Sequence, residues 1–453
     1  MSIDIPHPSL NIAEPSYRDD SIESWQYYDY EPQSQNNLNS YGTSIQIDIN
    51  SNDIYTNPAK SYITIKGQIK RENNNAVFDV ADEITLVNNA MMFLFSEVKY
   101  SIGSTIMERV NNPGQTSSML GYLSLPDDFS TSSGLMMCWS KDTTVNANSS
   151  EFSPSQAAPA AGYTPTRNAE YNQGFAARKG LLNSANPRGS FSCIIPLDHM
   201  FGFAEYDKVI YGVKHSLTLA RNSNDMLSLF RAGAANGKID LKSITWRMPQ
   251  VKPSFVKLGE LREIIQSKVE IPVYYRARTS ESTSVPQSQQ FSWRLSVTGG
   301  VEKPRWIIVG FQTDKNTAQT QNPAIFDHLD LSNAYVTLNS ERYPMTDITT
   351  NFASNDYTQL YEMFDSFKKE YYGYNSLVGG TQVNFSAYKS LFPIIVFDVR
   401  RQSERLKSGV VDIQLKFFFS TPVPANTFAY ATTISDRQYS MKSDGTNMTM
   451  ISY

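Results

Sequence analysis

The side chains able to do acid–base or ligand chemistry in this 453-residue chain are few and far apart. The four histidines are His7, His199, His215 and His328. None falls in an HxH or HExxH spacing, so paired imidazoles on one metal are not expected. His215 lies in an alternating apolar stretch and His199 in a turn before Phe201. Isolated histidines in such settings are expected to be hydrogen-bonded structural residues, because a base must also meet a strict geometry. Asp127-Asp128 is the most suggestive carboxylate pair. Retaining glycosidases need two carboxyls about 5–5.5 Å apart across a cleft, which adjacent residues seldom provide, so a solvated turn is predicted. Asp398 with Arg400 and Arg401 predicts ion pairs at a strand end or subunit contact. The two cysteines, Cys138 and Cys193, form no CxxC or Cys/His pattern and are read as small buried side chains. Gly299-Gly300 and Gly379-Gly380 are turn signals, not phosphate loops. The sequons at Asn148, Asn384 and Asn447 are read as accidental. The sequence therefore predicts no catalytic, cofactor-binding or metal-binding residue, and no enzyme.

The elements behind these residues are β-rich. Charged residues make up 19% of the chain, and 26 Tyr and 24 Phe stand among abundant hydroxyl and amide side chains, a composition that favours antiparallel sheet. The formal net charge is −4 and the basic residues form no stripe. Direct, sequence-specific nucleic-acid binding is not expected, because coating a phosphate backbone takes a basic face. Met1 to Leu10 show no secretory pattern, and the longest apolar run, Phe392 to Phe397, falls far short of the ~20 residues of a membrane span. Synthesis in the cytosol is the expectation.

Residues 1–40 are polar and proline-containing, with an aromatic cluster at Trp25-Gln26-Tyr27-Tyr28-Asp29-Tyr30. They read as an N-terminal arm, either disordered or docked on a neighbouring surface, with regular structure starting near Tyr41. Alternation at Ile45, Ile47 and Ile49, then at Ile63 and Ile65, predicts strands. Ala90 to Phe95 extends another strand towards Tyr100, with a hairpin at Gly103. Residues 128–190, rich in Ser, Ala, Asn, Gly and Pro, read as a long surface loop. Strands resume from Ser190 to Trp246, completing a first domain over residues 41–250. Phe255, Leu258, Leu261 and Ile265 then follow helical spacing, so residues 251–271 read as a linker helix. A second domain over 272–434 repeats the alternation, as in Phe291 to Val297 and Arg305 to Phe311. It holds one helix, with Asp356 and Gln359 as a capping pair, a stripe at Tyr357, Leu360, Phe364 and Phe367, and Gly373 as its stop. Residues 435–453 read as a polar C-terminal tail.

Two β-rich halves with long insertions suggest tandem sandwiches. Several blocks carry a resemblance further. Pro196 to Tyr206 and Tyr211 to Arg221 resemble the end of the first jelly roll in major capsid proteins of the adenovirus and large-DNA-virus lineage. Ile244-Thr245-Trp246, Pro304 to Gln312, Val396 to Arg400 and Phe417 to Tyr430 are similar to the same group, and most of all to capsid proteins of Polinton/Maverick-type and adintovirus-like elements. The resemblance implies an all-β fold of two tandem eight-stranded jelly rolls, with a bridging helix and one helix inserted in the second domain. It implies a structural major capsid protein whose homotrimers form pseudo-hexagonal capsomers of an icosahedral shell around double-stranded DNA. The partners implied are neighbouring capsomers, a single jelly-roll penton protein and other minor capsid proteins, and the location implied is the virion capsid. A carbohydrate-binding or carbohydrate-cleaving jelly-roll protein is the alternative, and would need a concave aromatic face with convergent carboxylates.

Overall fold

The computed structural model describes residues 20–34, 38–50, 53–152, 167–233, 235–296, 303–373, 381–402, 411–443 and 448–452. Along the first half run β1 (Ile22–Tyr30), β2 (Ser44–Ile49), β3 (Tyr55–Thr56), β4 (Tyr62–Arg71), β5 (Ile84–Leu86), helix α1 (Ala90–Phe93), β6 (Phe95–Ile102), β7 (Thr105–Asn111), α2 (Pro113–Ser124), α3 (Gln173–Ser184), β8 (Ser190–Pro196), α4 (Leu197–Met200), β9 (Ile210–Tyr211), β10 (His215–Arg221), β11 (Leu229–Arg231) and β12 (Gly237–Pro253). Helix α5 (Phe255–Gln266) leads to the second half. There follow β13 (Ile271–Ser284), β14 (Gln290–Arg294), β15 (Lys303–Thr313), β16 (Leu331–Leu338), β17 (Glu341–Tyr343), α6 (Thr358–Tyr372), α7 (Phe385–Leu391), β18 (Ile395–Asp398), β19 (Ile413–Phe419), β20 (Thr427–Ser443) and β21 (Met448–Ser452).

Each half is a sandwich of two four-stranded layers. In the first, β8, β4, β12 and β1 lie side by side opposite β2, β10, β6 and β7, with the short β3 and β9 extending the former layer. In the second, β18, β15, β20 and β13 lie opposite β14, β19, β16 and β17, and β21 pairs with β20. If the long strands of each half are counted one to eight, both halves read 6-3-8-1 over 2-7-4-5. That shared order makes the chain two tandem eight-stranded jelly rolls.

Alternation produces the layers. Leu217 and Leu219 of β10, and Leu415, Phe417 and Phe419 of β19, point inward between half-exposed neighbours. Ile307, Ile308 and Val309 of β15 are buried on both faces. The outer face of that sheet is covered by α6, whose Phe367 meets Trp306 edge-on with ring centroids 5.6 Å apart.

Several expectations need correction. The N-terminal arm contains a strand of the first roll: β1 pairs with β12 from Ile22↔Pro253 to Tyr30↔Trp246, so among the described residues regular structure is present from Ile22, well before Tyr41. Its polar composition hid it, because a strand at a sheet edge buries little. The tail is likewise partly sheet, since β20 runs on to Ser443 and β21 pairs back onto it. Tyr439 and Met441 reach a core there. Ala90 to Phe93 form one helical turn, not a strand; a short apolar run buried on all sides does not reveal its period. Described parts of the 128–190 segment are core, not only surface loop, because Met137, Trp139, Phe175 and Leu182 are buried. The second half carries α7 as well as the expected helix, and that helix begins at Thr358 without the Asp356 side-chain cap.

Because β1 completes the first roll, a chain beginning at residue 32 is expected to melt about 5 °C or more below the full chain in scanning calorimetry. Equal melting would remove β1 from the stable fold.

Candidate functional site

The residues singled out for chemistry do not converge. His215 is buried in the first roll, with Nε2 2.9 Å from the Thr56 hydroxyl and Nδ1 2.9 Å from the Tyr100 hydroxyl. Burial pushes its pKa down to about 4. His199 is also enclosed, with Nε2 3.1 Å from Asn89 Oδ1 and its ring at the edge of Trp139. Burial, and then the Arg278 charge, push its pKa down to about 3. His328 stacks on Phe352 with ring centroids 4.3 Å apart. His7, both glycine pairs and Asn447 lie outside the described residues. The Asn384 side chain accepts the Ala387 N–H and so caps α7. Among the described residues no group of three or more His, Cys, Asp or Glu could hold a metal ion.

Asp127 and Asp128 line a cleft of about 880 Å³ with Lys141, Thr143, Gln173 and Lys368. Asp127 is paired with Lys141 at 2.5 Å. Among the described residues no aromatic ring lines this cleft. Asp398 and Glu370 both pair with Arg400, which stacks over Trp306 at 4.9 Å. The expected strand-end ion pair is therefore present. Cys138 and Cys193 are both buried, and the Cys138 thiol donates to the Val87 carbonyl at 3.6 Å. Cys193 lies close enough to influence its ionisation, a proximity no sequence spacing announced.

What the tertiary structure assembles is the junction between the two rolls. Glu108 on β7 is fully buried next to the buried Met107, where the β6–β7 ladder shifts register. Its Oε1 accepts the Gly202 N–H at 3.0 Å and the Arg278 N–H at 2.8 Å. Its Oε2 accepts the Phe203 N–H at 2.9 Å. One carboxylate thus ties the 196–206 block of the first roll to β13 of the second. Burial raises its pKa, against the Arg278 charge and the three N–H groups, which hold the charged form. Gly202 fits here because a Cβ would stand 1.8 Å from the Arg276 carbonyl oxygen. Glu205 adds an ion pair to Arg276 at 2.9 Å, and the Arg276 guanidinium lies 3.6 Å from the Tyr371 ring centroid. The Tyr275 hydroxyl donates to the Met107 carbonyl at 2.6 Å, and the Tyr439 hydroxyl to the Ile106 carbonyl at 3.2 Å.

The apolar cores interlock as well. Val273, Tyr275, Ala277, Tyr439 and Met441 of the second half pack into the core of the first roll. Met119, Tyr122 and Leu123 of α2, with Met137 and Trp139, pack into the core of the second. Tyr122 donates to the Ala324 carbonyl at 2.9 Å, and Asp142, buried against Arg178, accepts from Asn322 at 2.8 Å. The two rolls are held as one body.

Glu108→Gln puts an amide donor against backbone N–H groups and is expected to cost about 3 kcal/mol, read as a loss of several degrees in melting temperature. Unchanged melting would mean that the junction does not depend on this carboxylate. The buried histidines set a pH dependence. Their folded-state pKa values, about 3 and about 4, lie below the ordinary 6.5, so the unfolded chain takes up protons first as pH falls. Stability is expected to be level above pH ~7 and to fall progressively as the pH drops from 6.5 towards 4. His215→Phe should flatten part of that slope between pH 6.5 and 5, and a slope unchanged by the substitution would count against it.

Comparison with known proteins agrees with this geometry. No curated protein sequence matches the chain. Among solved structures, a chain of the Sputnik virophage is similar at 10% identity and TM-score 0.56, covering 100% of this chain and 93% of that one. The mavirus major capsid protein is similar at 12% identity and TM-score 0.52, covering 100% and 95%. The Faustovirus major capsid protein is similar at 9% identity and TM-score 0.52, covering 94% and 92%. At such identities the likeness is one of fold. The double jelly roll-like domain model matches residues 163–439, more than half of the chain, and the chain belongs to that family.

Proposed function

We propose that this chain is a structural major capsid protein, a shell subunit and not an enzyme. The observation that carries the reading is the pair of jelly rolls with identical strand order, locked side by side by Glu108 and by exchanged apolar side chains. A rigid body of two near-equivalent sandwiches presents nearly the same outline twice. Three copies about a threefold axis then offer six sandwiches in a near-hexagonal ring, an outline that tiles a flat face of an icosahedron. The fold likeness to the mavirus and Faustovirus major capsid proteins supports this role. The finer reading is a homotrimeric, pseudo-hexagonal capsomer in the shell of a double-stranded DNA virus or Polinton-like element. Neighbouring capsomers, a single jelly-roll penton protein and minor capsid proteins are its partners, and the virion capsid is its location. The residues His199, His215, Glu108, Asp398 and Arg400 are engaged in ion pairs or hydrogen bonds within the fold, which supports a role carried by surfaces.

The test is to express the full chain alone and measure its mass in solution by light scattering, then image it. A stable trimer, or shells, is the expected result. Such an assembly needs contacts of about 2,000 Å² or more. A chain that stays monomeric over a wide range of concentration and salt would overturn the reading.

A further inference from the structure

Two surfaces meet inside this molecule. One is β13, the first strand of the second roll, at the edge of its layer. The other is β7, the fifth strand of the first roll, at the edge of its own layer, together with the turn at Gly202 to Glu205. They seal each other through Glu108, Tyr275 and the Glu205–Arg276 pair. Both surfaces have counterparts, because the two rolls share one strand order. The counterpart of β13 is β1, and the counterpart of β7 is β17.

Among the described residues neither counterpart is sealed. β1 pairs with β12 along one side, and among the described residues no strand pairs with its other side. Tyr30 packs against the core of the first roll, whereas Trp25, Tyr27 and Tyr28 are 37%, 44% and 46% exposed. Its charges are already balanced in the sheet, Asp29 by Arg247 and Glu23 by Lys252. An aromatic, electrically balanced strand with an open edge is poorly solvated and can be covered by another chain. β17 pairs only with β16 among the described strands, and just beyond it Met345 is 81% exposed.

We propose that β1 is the seat for a second copy of this chain, and that the copy lays on it the β17 edge with Tyr343 and Met345. The contact repeats between molecules the one that β7 makes with β13 within a molecule. It is heterologous, so each copy gives one surface and receives on the other, and a ring of three closes with roll 1 and roll 2 alternating. The inference rests on the capsomer reading above and names the surfaces that would build it.

Two variants test it, Trp25→Ser with Tyr28→Ser on one surface and Met345→Ser on the other. Each alone is expected to weaken self-association of the full chain at least tenfold without lowering the melting temperature of the monomer. Mixing the two variants should restore one intact contact and yield a dimer that cannot close. In a twofold contact of β1 with β1, mixing would restore nothing, and that result would overturn the proposal. Amide exchange on the unaltered chain is a second measure, with β1 and β17 expected to exchange at least tenfold more slowly when assembled than when diluted to monomer. A trimer that survives both variants, or in which β1 exchanges as fast as in the monomer, overturns this inference and leaves the capsomer reading standing. An unaltered chain that never associates overturns both.

Discussion

The Glu108 carboxylate is buried between the two jelly rolls, and the relative position of the rolls depends on it. A carboxylate removed from water is costly unless its oxygens are fully used. Here the backbone N–H groups of Gly202, Phe203 and Arg278 use them. Two of those groups belong to the first roll and one to the second, so the charge is satisfied only when the rolls are in register. Gly202 reinforces the constraint, since any side chain there would collide with the Arg276 carbonyl. A buried polar contact of this kind adds little net stability but penalises every other arrangement.

The apolar exchange around that junction explains why two sandwiches act as one. Tyr275 and Met441 complete the first core, and Tyr122 and Trp139 complete the second. Neither roll has a full core without residues that lie on the other side of α5 in the chain. Two linked domains ordinarily meet through a modest polar interface and move relative to one another. Shared cores remove that freedom, and a subunit that must tile a flat array gains from rigidity. The helix that links the halves contributes little to either core. Phe255 and Val256 of α5 are 90% and 71% exposed, while only Ile265 of its apolar positions is fully buried.

Much of this was legible in local pattern. Strands such as β10 and β19 follow from alternation at Leu217, Leu219, Leu415 and Phe417. The apolar stripe of α6 follows from Leu360, Phe364 and Phe367, and its end from Gly373, which adopts a left-handed φ of 71°. The Pro196 to Tyr206 block could be picked out as distinctive, but not the reason for it, which is contact with β13. β1 was missed because an edge strand buries too little to show a period. Phe175 gives no local sign of being core because its neighbours are small or polar, and the apolar run Leu135 to Trp139 is too short to show a period. The Cys138–Cys193 contact and the burial of Glu108 had no signal in the sequence at all.

Taken by itself, the order of amino acids determined two runs of alternating strands, a helical link and the absence of any recognisable catalytic motif. Side-chain period is a local property, set by the pleat of each strand, so it can be read a few residues at a time. Only the tertiary structure decided that the two rolls share one strand order, that each completes the core of the other, and that β7 covers β13 while no described strand covers the outer edge of β1. Those are relations between segments more than a hundred residues apart. They depend on which surfaces lose water together, and no short stretch of sequence carries that information.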